Sequence, residues 1–216
     1  MLRHVAFAGL FLAAWTLPAQ ADFSQEIQRC DFGGDHPDIR IVACTRNIQS
    51  GRFIGENLAV AFTNRGLAYK SKGQWDRAIA DFSEAIRLQP DFVTAFNNRG
   101  NIYYGQGQFD RAIEDYDKAI RLNPELAEAF SNRGNVYRKK GQFDRAIEDY
   151  DKAIHLKPGN GRMFANRGLA YEKKGAPDQA LRDFIRARTL GFRHPLLLQK
   201  LREYGETLLG RRGGAL

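Results

Sequence analysis

Two ladders of polar side chains recur along this chain of 216 residues. Arg65, Arg99, Arg133 and Arg167 stand 34 residues apart, and Asp81, Asp115, Asp149 and Asp183 follow them at an offset of 16. A row of guanidinium forks could hold an acidic ligand, since each fork matches a carboxylate with two parallel hydrogen bonds. The other reading is an internal Arg–Asp bond repeated from segment to segment, and it is the expectation, because a buried arginine needs such a partner. The second ladder is Asn64, Asn98, Asn132 and Asn166, with Asn101 and Asn135 one helical turn onward in two copies. An amide donates and accepts at once, which is the chemistry that meets a peptide backbone.

Other chemistries fail on inventory. No HExxH or GxSxG occurs, and no Gly-rich phosphate loop follows a strand. His36, His155 and His194 fall in separate segments, and Cys30 and Cys44 lack the CxxC spacing of a redox pair. The densest polar cluster, Asp31, Asp35, His36 and Asp38, does not match a calcium-binding EF-hand loop, and turn formation with helix capping accounts for it. No catalytic residue, metal site or cofactor is expected.

The elements that must carry the ladders follow from the apolar pattern. Phe62, Gly66 and Tyr69 recur as Phe96, Gly100 and Tyr103, as Phe130, Gly134 and Tyr137, and as Phe164, Gly168 and Tyr171. Spacings of four and three put each set on one helical face. A second set, Ala78, Phe82 and Ala85, returns as Ala112, Tyr116 and Ala119, as Ala146, Tyr150 and Ala153, and as Ala180, Phe184 and Ala187. Each unit is therefore a pair of amphipathic helices. Gly in a helix interior costs about 1 kcal/mol relative to Ala, so the four in register imply close approach of the partner helix at its small Ala positions. Gly73, Gly107, Gly141 and Gly175 suit the left-handed turn between the helices. Pro90, Pro124 and Pro158 close three of the units, whereas the fourth has Phe192 there and Pro177 in place of the aromatic seen as Trp75, Phe109 and Phe143. A terminal repeat is expected to deviate in this way.

The columns Phe96, Gly100, Tyr103, Gly107, Phe109, Ala112, Tyr116, Ala119 and Pro124 resemble the tetratricopeptide repeat, matched in tandem by four units over about Ala59 to His194. The resemblance implies an all-α fold, a right-handed superhelical solenoid of helix-turn-helix repeats whose first helices line a concave groove for a protein or peptide partner. It places Asn64, Asn98, Asn101, Asn132, Asn135 and Asn166 in that groove, with a second reading of the same asparagines as repeat framework. Some members hold a C-terminal carboxylate in a clamp, and Asn101, Asn132 and Arg162 fall on three of its positions, while Asn97 and Asn166 stand where the clamp has Lys and Arg. Tyr104, Arg138 and Arg162 differ from their counterparts in other units and are candidates for ligand discrimination. The units are expected at 59–92, 93–126, 127–160 and 161–194.

The ends carry separate signals. Arg3, the apolar run from Val5 to Leu17, Pro18 and the triplet Ala19-Gln20-Ala21 follow the order of a secretory signal peptide over residues 1–21. The mature chain is then expected in the periplasm or outside the cell, and Cys30 and Cys44 are expected to form a disulfide. A short helix from Asp22 to Cys30 and another from Pro37 to about Ser50 make residues 22–58 an N-terminal cap, similar to modules on exported proteobacterial proteins of this repeat class. Pro195 opens a capping helix to about Leu209 with the stripe Leu197, Leu201, Tyr204 and Leu208, and Gly210 to Leu216 are expected to fray. Residues 22–160 carry 20 basic and 20 acidic side chains, against 12 and 5 in 161–216, so apart from Arg3 the excess positive charge is C-terminal. That basic end, with Lys173, Lys174, Arg182, Arg186, Arg188 and Arg193, supports a second reading as a module for anionic membrane lipid or polymer. Export argues against nucleic acid as a partner. The leading expectation is a non-enzymatic module that binds a protein segment.

Overall fold

The computed structural model describes Cys30, the backbone of residues 36–213, and side chains as far as residue 205. The expected signal peptide, the helix from Asp22 up to Cys30, Asp31, Asp35 and the last three residues lie outside the described residues. Ten helices follow in order among those described: α1 Pro37–Gln49, α2 Gly55–Ser71, α3 Trp75–Leu88, α4 Val93–Gly105, α5 Phe109–Leu122, α6 Ala127–Lys139, α7 Phe143–Leu156, α8 Gly161–Lys174, α9 Pro177–Thr189 and α10 Pro195–Gly213. No helix among the described residues is long and apolar enough to cross a membrane.

Within each unit the turn is set by one glycine. In the second unit Gly107 takes φ +73, and the backbone N–H groups of Gly107 and Gln108 donate to the carbonyls of Tyr104 (3.0 Å) and Tyr103 (2.8 Å). This pairing satisfies the last carbonyls of α4 while reversing the chain. Gly73, Gly141 and Gly175 adopt the same positive φ in the other units. The second helix then opens with an acidic first turn, at Asp76, Asp110, Asp144 and Asp178, where the helix dipole favours negative charge.

The helices stack as antiparallel pairs, α2 on α3, α4 on α5, α6 on α7 and α8 on α9, and each pair passes its second helix to the first helix of the next. Successive first helices also touch, α2 on α4, α4 on α6 and α6 on α8. In a curved stack the layer whose members meet is the inner one, so the first helices line the concave side and the second helices form the outer wall.

The core adds an aromatic ring to the expected close approach at the Ala positions. The ring is what comes nearest to all four glycines, and the carbonyls of Ala146 and Ala180 stand 3.2 Å from where a Cβ on Gly134 and Gly168 would be. A Cβ on Gly100 would stand 2.9 Å from Cε1 of Tyr116, and one on Gly168 would stand 2.6 Å from Cε1 of Phe184. Phe82, Tyr116, Tyr150 and Phe184 are all buried. Their rings come this close to the first helix only because no side chain is there.

Both ends are capped. Cys30 and Cys44 form the expected disulfide, with their Cα atoms 4.8 Å apart, buried with Ala43 of α1 and Ala61 of α2. Closing a loop of this length stabilises a fold by about 3 kcal/mol on the chain-entropy account. At the far end α10 packs on α9, burying Leu197 and placing the Tyr204 ring 5.9 Å from that of Phe184. The helix runs to Gly213 rather than stopping near Leu209. Arg211 and Arg212 are good helix formers, and one interior Gly costs only about 1 kcal/mol.

Candidate functional site

The arginine ladder is internal. Arg99 Nε and Nη2 donate to Asp115 at 2.9 and 2.8 Å, and Arg65–Asp81, Arg133–Asp149 and Arg167–Asp183 repeat this fork. The remaining guanidinium nitrogen, Nη1, reaches back to the preceding unit: to Thr45 (3.1 Å), Ser83 (2.9 Å), Asp117 (2.5 Å) and Asp151 (2.5 Å). Each guanidinium also lies between two rings of its own helix, Phe96 and Tyr103 for Arg99, both 5.8 Å away. Hydrogen bonding to Asp81 and Asp115 raises the Arg65 and Arg99 guanidinium groups above their ordinary value, so the charge is locked in place. The bond to the preceding unit was missed in the sequence. Its signal is the polar residue 16 positions before the arginine at Ser83, Asp117 and Asp151.

The asparagines divide into two kinds. Asn101 and Asn135 are built into the groove floor, each accepting from a buried tyrosine hydroxyl of the second helix: Tyr116 to Asn101 at 2.8 Å and Tyr150 to Asn135 at 2.7 Å. The outer units carry Leu67 with Phe82 and Leu169 with Phe184 in the same columns. Amide goes with hydroxyl and leucine with phenyl, so the floor is polar in the middle of the stack and apolar at both ends. Asn98 donates to the Thr94 carbonyl at 2.9 Å, and Asn132 donates to Asn97 Oδ1 at 3.1 Å across the joint between units. Asn64 sits half-buried in the same column on α2.

Tyr104, Arg138 and Arg162 do occupy the first helices at places where the units disagree. Tyr104 packs against the cluster of Tyr103, Ala112, Tyr116 and Val136, with its ring 6.1 Å from Phe109. Arg138 stands beside Tyr150. Burial pushes that hydroxyl up to about 12, with the arginine charge opposing the rise. Lys70 belongs to the same column as Tyr104 and Arg138 and is half-buried, so it joins the candidate residues. Its signal in the sequence is the 34-residue spacing from Tyr104. Arg162 is exposed, and with Asn166 it borders a cavity of about 190 Å³ at the C-terminal end of the groove. Ala165, Leu169, Phe184, Phe192, Leu196 and Leu197 give it apolar walls, and His194 and Lys200 complete the border.

The arrangement therefore offers a concave face with an amide-rich middle, apolar ends and charges that change from unit to unit. Asn97, at a clamp position, is bonded to Asn132, and no lysine or arginine stands at the position of Asn97 or Asn166. The basic C-terminal region is partly neutralised. Lys174 pairs with Asp144 at 2.5 Å, and Arg186 lies 5.9 Å over the Phe164 ring. Among the described residues, no group of three or more His, Cys, Asp or Glu is placed to hold a metal.

Sequence models of the family described as TPR repeat match residues 66–107 and 100–141, and that of the tetratricopeptide repeat matches 127–160. No curated protein matches the chain. Solved structures do. A crystal structure of MamA is 29% identical with a TM-score of 0.66, covering 76% of this chain and 94% of its own. A second MamA crystal structure is 28% identical at TM-score 0.66, covering 79% and 90%. MamA 41-end from Desulfovibrio magneticus RS-1 is 20% identical at TM-score 0.69, covering 81% and 96%, a likeness of fold alone.

Proposed function

Because the chain is a tetratricopeptide-repeat protein, we propose that it works as a non-enzymatic interaction module that binds a protein segment along its concave face. One observation carries this reading. The framework columns and the Asn64, Asn98, Asn132 and Asn166 column hold from unit to unit, while other inward columns vary, as Thr94, Glu128 and Arg162 in one and Lys70, Tyr104 and Arg138 in another. Packing demands alone would keep both kinds of column constant, since every unit meets a neighbour of the same shape. The module acts in the periplasm or outside the cell, supported by the order of charged, apolar and small residues over 1–21 and by the Cys30–Cys44 bridge.

The test is co-purification from the native cell envelope. Arg162→Ala with Asn166→Ala is expected to weaken partner capture by roughly tenfold or more while leaving the helical circular-dichroism signal unchanged. Glu114→Ala with Glu148→Ala, on the exposed side of the second helices, should leave capture intact. Equal capture by both variants would overturn the proposal.

A further inference from the structure

Several cations on the inner helices and at the joints of this stack are answered by carboxylates. The four ladder arginines have their aspartates, and Lys140–Asp110, Lys157–Glu128 and Lys174–Asp144 close further pairs at 2.5 to 2.6 Å. The inward column of Lys70, Tyr104, Arg138 and Glu172 offers its two cations no carboxylate. Its one acid, Glu172, is taken by Lys200 at 3.0 Å. No ion pair among the described residues includes Lys70 or Arg138.

Both cations are also partly withdrawn from water. Arg138 Nε is shielded from solvent and has no acceptor. Burial alone lowers the Lys70 ammonium below its ordinary value. A shielded donor without a partner is costly, more so when charged; the neighbour of the guanidinium is the Tyr150 hydroxyl rather than a carboxylate, and an incoming carboxylate that pairs with the charge offsets part of that cost. The two cations occupy the same column in units separated by one complete repeat, with the Tyr104 ring in the place between them. A small anion meets only one of them, whereas an extended chain running along the inner face meets both.

We infer that the groove selects an acidic protein segment, an extended stretch whose Asp or Glu side chains pair with Lys70 and Arg138 across Tyr104. This rests on the concave face being the binding face, and it adds the chemistry of the partner. The charges are placed to choose between partners, since complementary charge acts mainly on specificity and encounter rate.

Fluorescence anisotropy of the full mature protein tests it, with a short labelled peptide alternating Asp and Glu with Ala, and its isosteric Asn/Gln counterpart. The acidic peptide is expected to bind roughly tenfold or more tightly than the amide peptide at low salt, and the preference should shrink as salt screens it. Lys70→Gln with Arg138→Gln should remove the preference, and Lys70→Glu with Arg138→Glu should transfer it to a Lys-containing peptide, each with an unchanged helical signal. Failure of the acidic peptide to bind would overturn the inference, as would equal binding of a single-stranded oligonucleotide of like charge. Equal binding of both peptides that is lost in Arg162→Ala with Asn166→Ala would overturn the acidic preference and leave the groove reading standing. Acidic-peptide binding untouched by every inner-face variant would overturn both.

Discussion

Arg99→Met is expected to destabilise the protein by about 3–5 kcal/mol, the cost of leaving a buried charge without its partner. Asp115 has only 6% of its side-chain surface exposed and receives both arms of the Arg99 fork. Ser83 of the preceding unit loses its donor at the same time, so the damage spreads to the joint between units. Adding Asp115→Leu should recover most of the loss, because an apolar pair of similar volume replaces a buried ion pair at little net cost. Thermal and urea melts of the single and double variants decide this. A loss below about 1 kcal/mol for Arg99→Met, the range of a surface pair, would contradict the structural reading of the ladder and reopen a ligand role for it.

Tyr116→Ala is expected to cost about 3–5 kcal/mol, in the range of large-to-small changes at a packed aromatic. The ring is fully buried, and its edge lies where a Cβ on Gly100 would stand 2.9 Å away. The same contact predicts a change of sign. In the wild type Gly100→Ala meets the ring, and an overpacked core loses about 1–3 kcal/mol, more than the roughly 1 kcal/mol that Ala gains over Gly in a helix. In the Tyr116→Ala background the obstruction is gone, and Gly100→Ala should stabilise by up to about 1 kcal/mol. Such coupling is the signature of residues in direct contact. Additive melting shifts for the two changes would mean that the glycine is held there for another reason.

Much of this architecture is legible in the chain because its causes are local and repeat. The 34-residue period, the turn glycines and the offset of 16 between Arg and Asp all follow from one unit's own packing, so four copies state them four times. The identity of the group that presses on Gly100 was not legible in that way. Ala112 and Tyr116 lie on the same helical face, and only the geometry of the pair shows which of them reaches the glycine.

The groove was harder to read for the opposite reason. Asn101 and Asn135 look like free amides in one dimension, yet each is held by a hydroxyl 15 residues later in the next helix. The pairing of Leu67 with Phe82 and of Leu169 with Phe184 carried that information in the sequence, but it shows only when columns from both helices are compared together. That Lys70 and Arg138 lack a carboxylate is not legible in the chain, because it depends on every neighbouring element at once. Repeats record framework many times over, and recognition is written in residues that occur once.

Photo-crosslinking in the native envelope addresses the central claim most directly. A photoreactive amino acid at Asn98 or Asn132, on the inner face, is expected to capture a discrete partner protein, while the same probe at Glu114 or Glu148, on the outer helices, should capture none. Adducts formed only from the outer positions, or equally from both faces, would contradict binding in the concave groove.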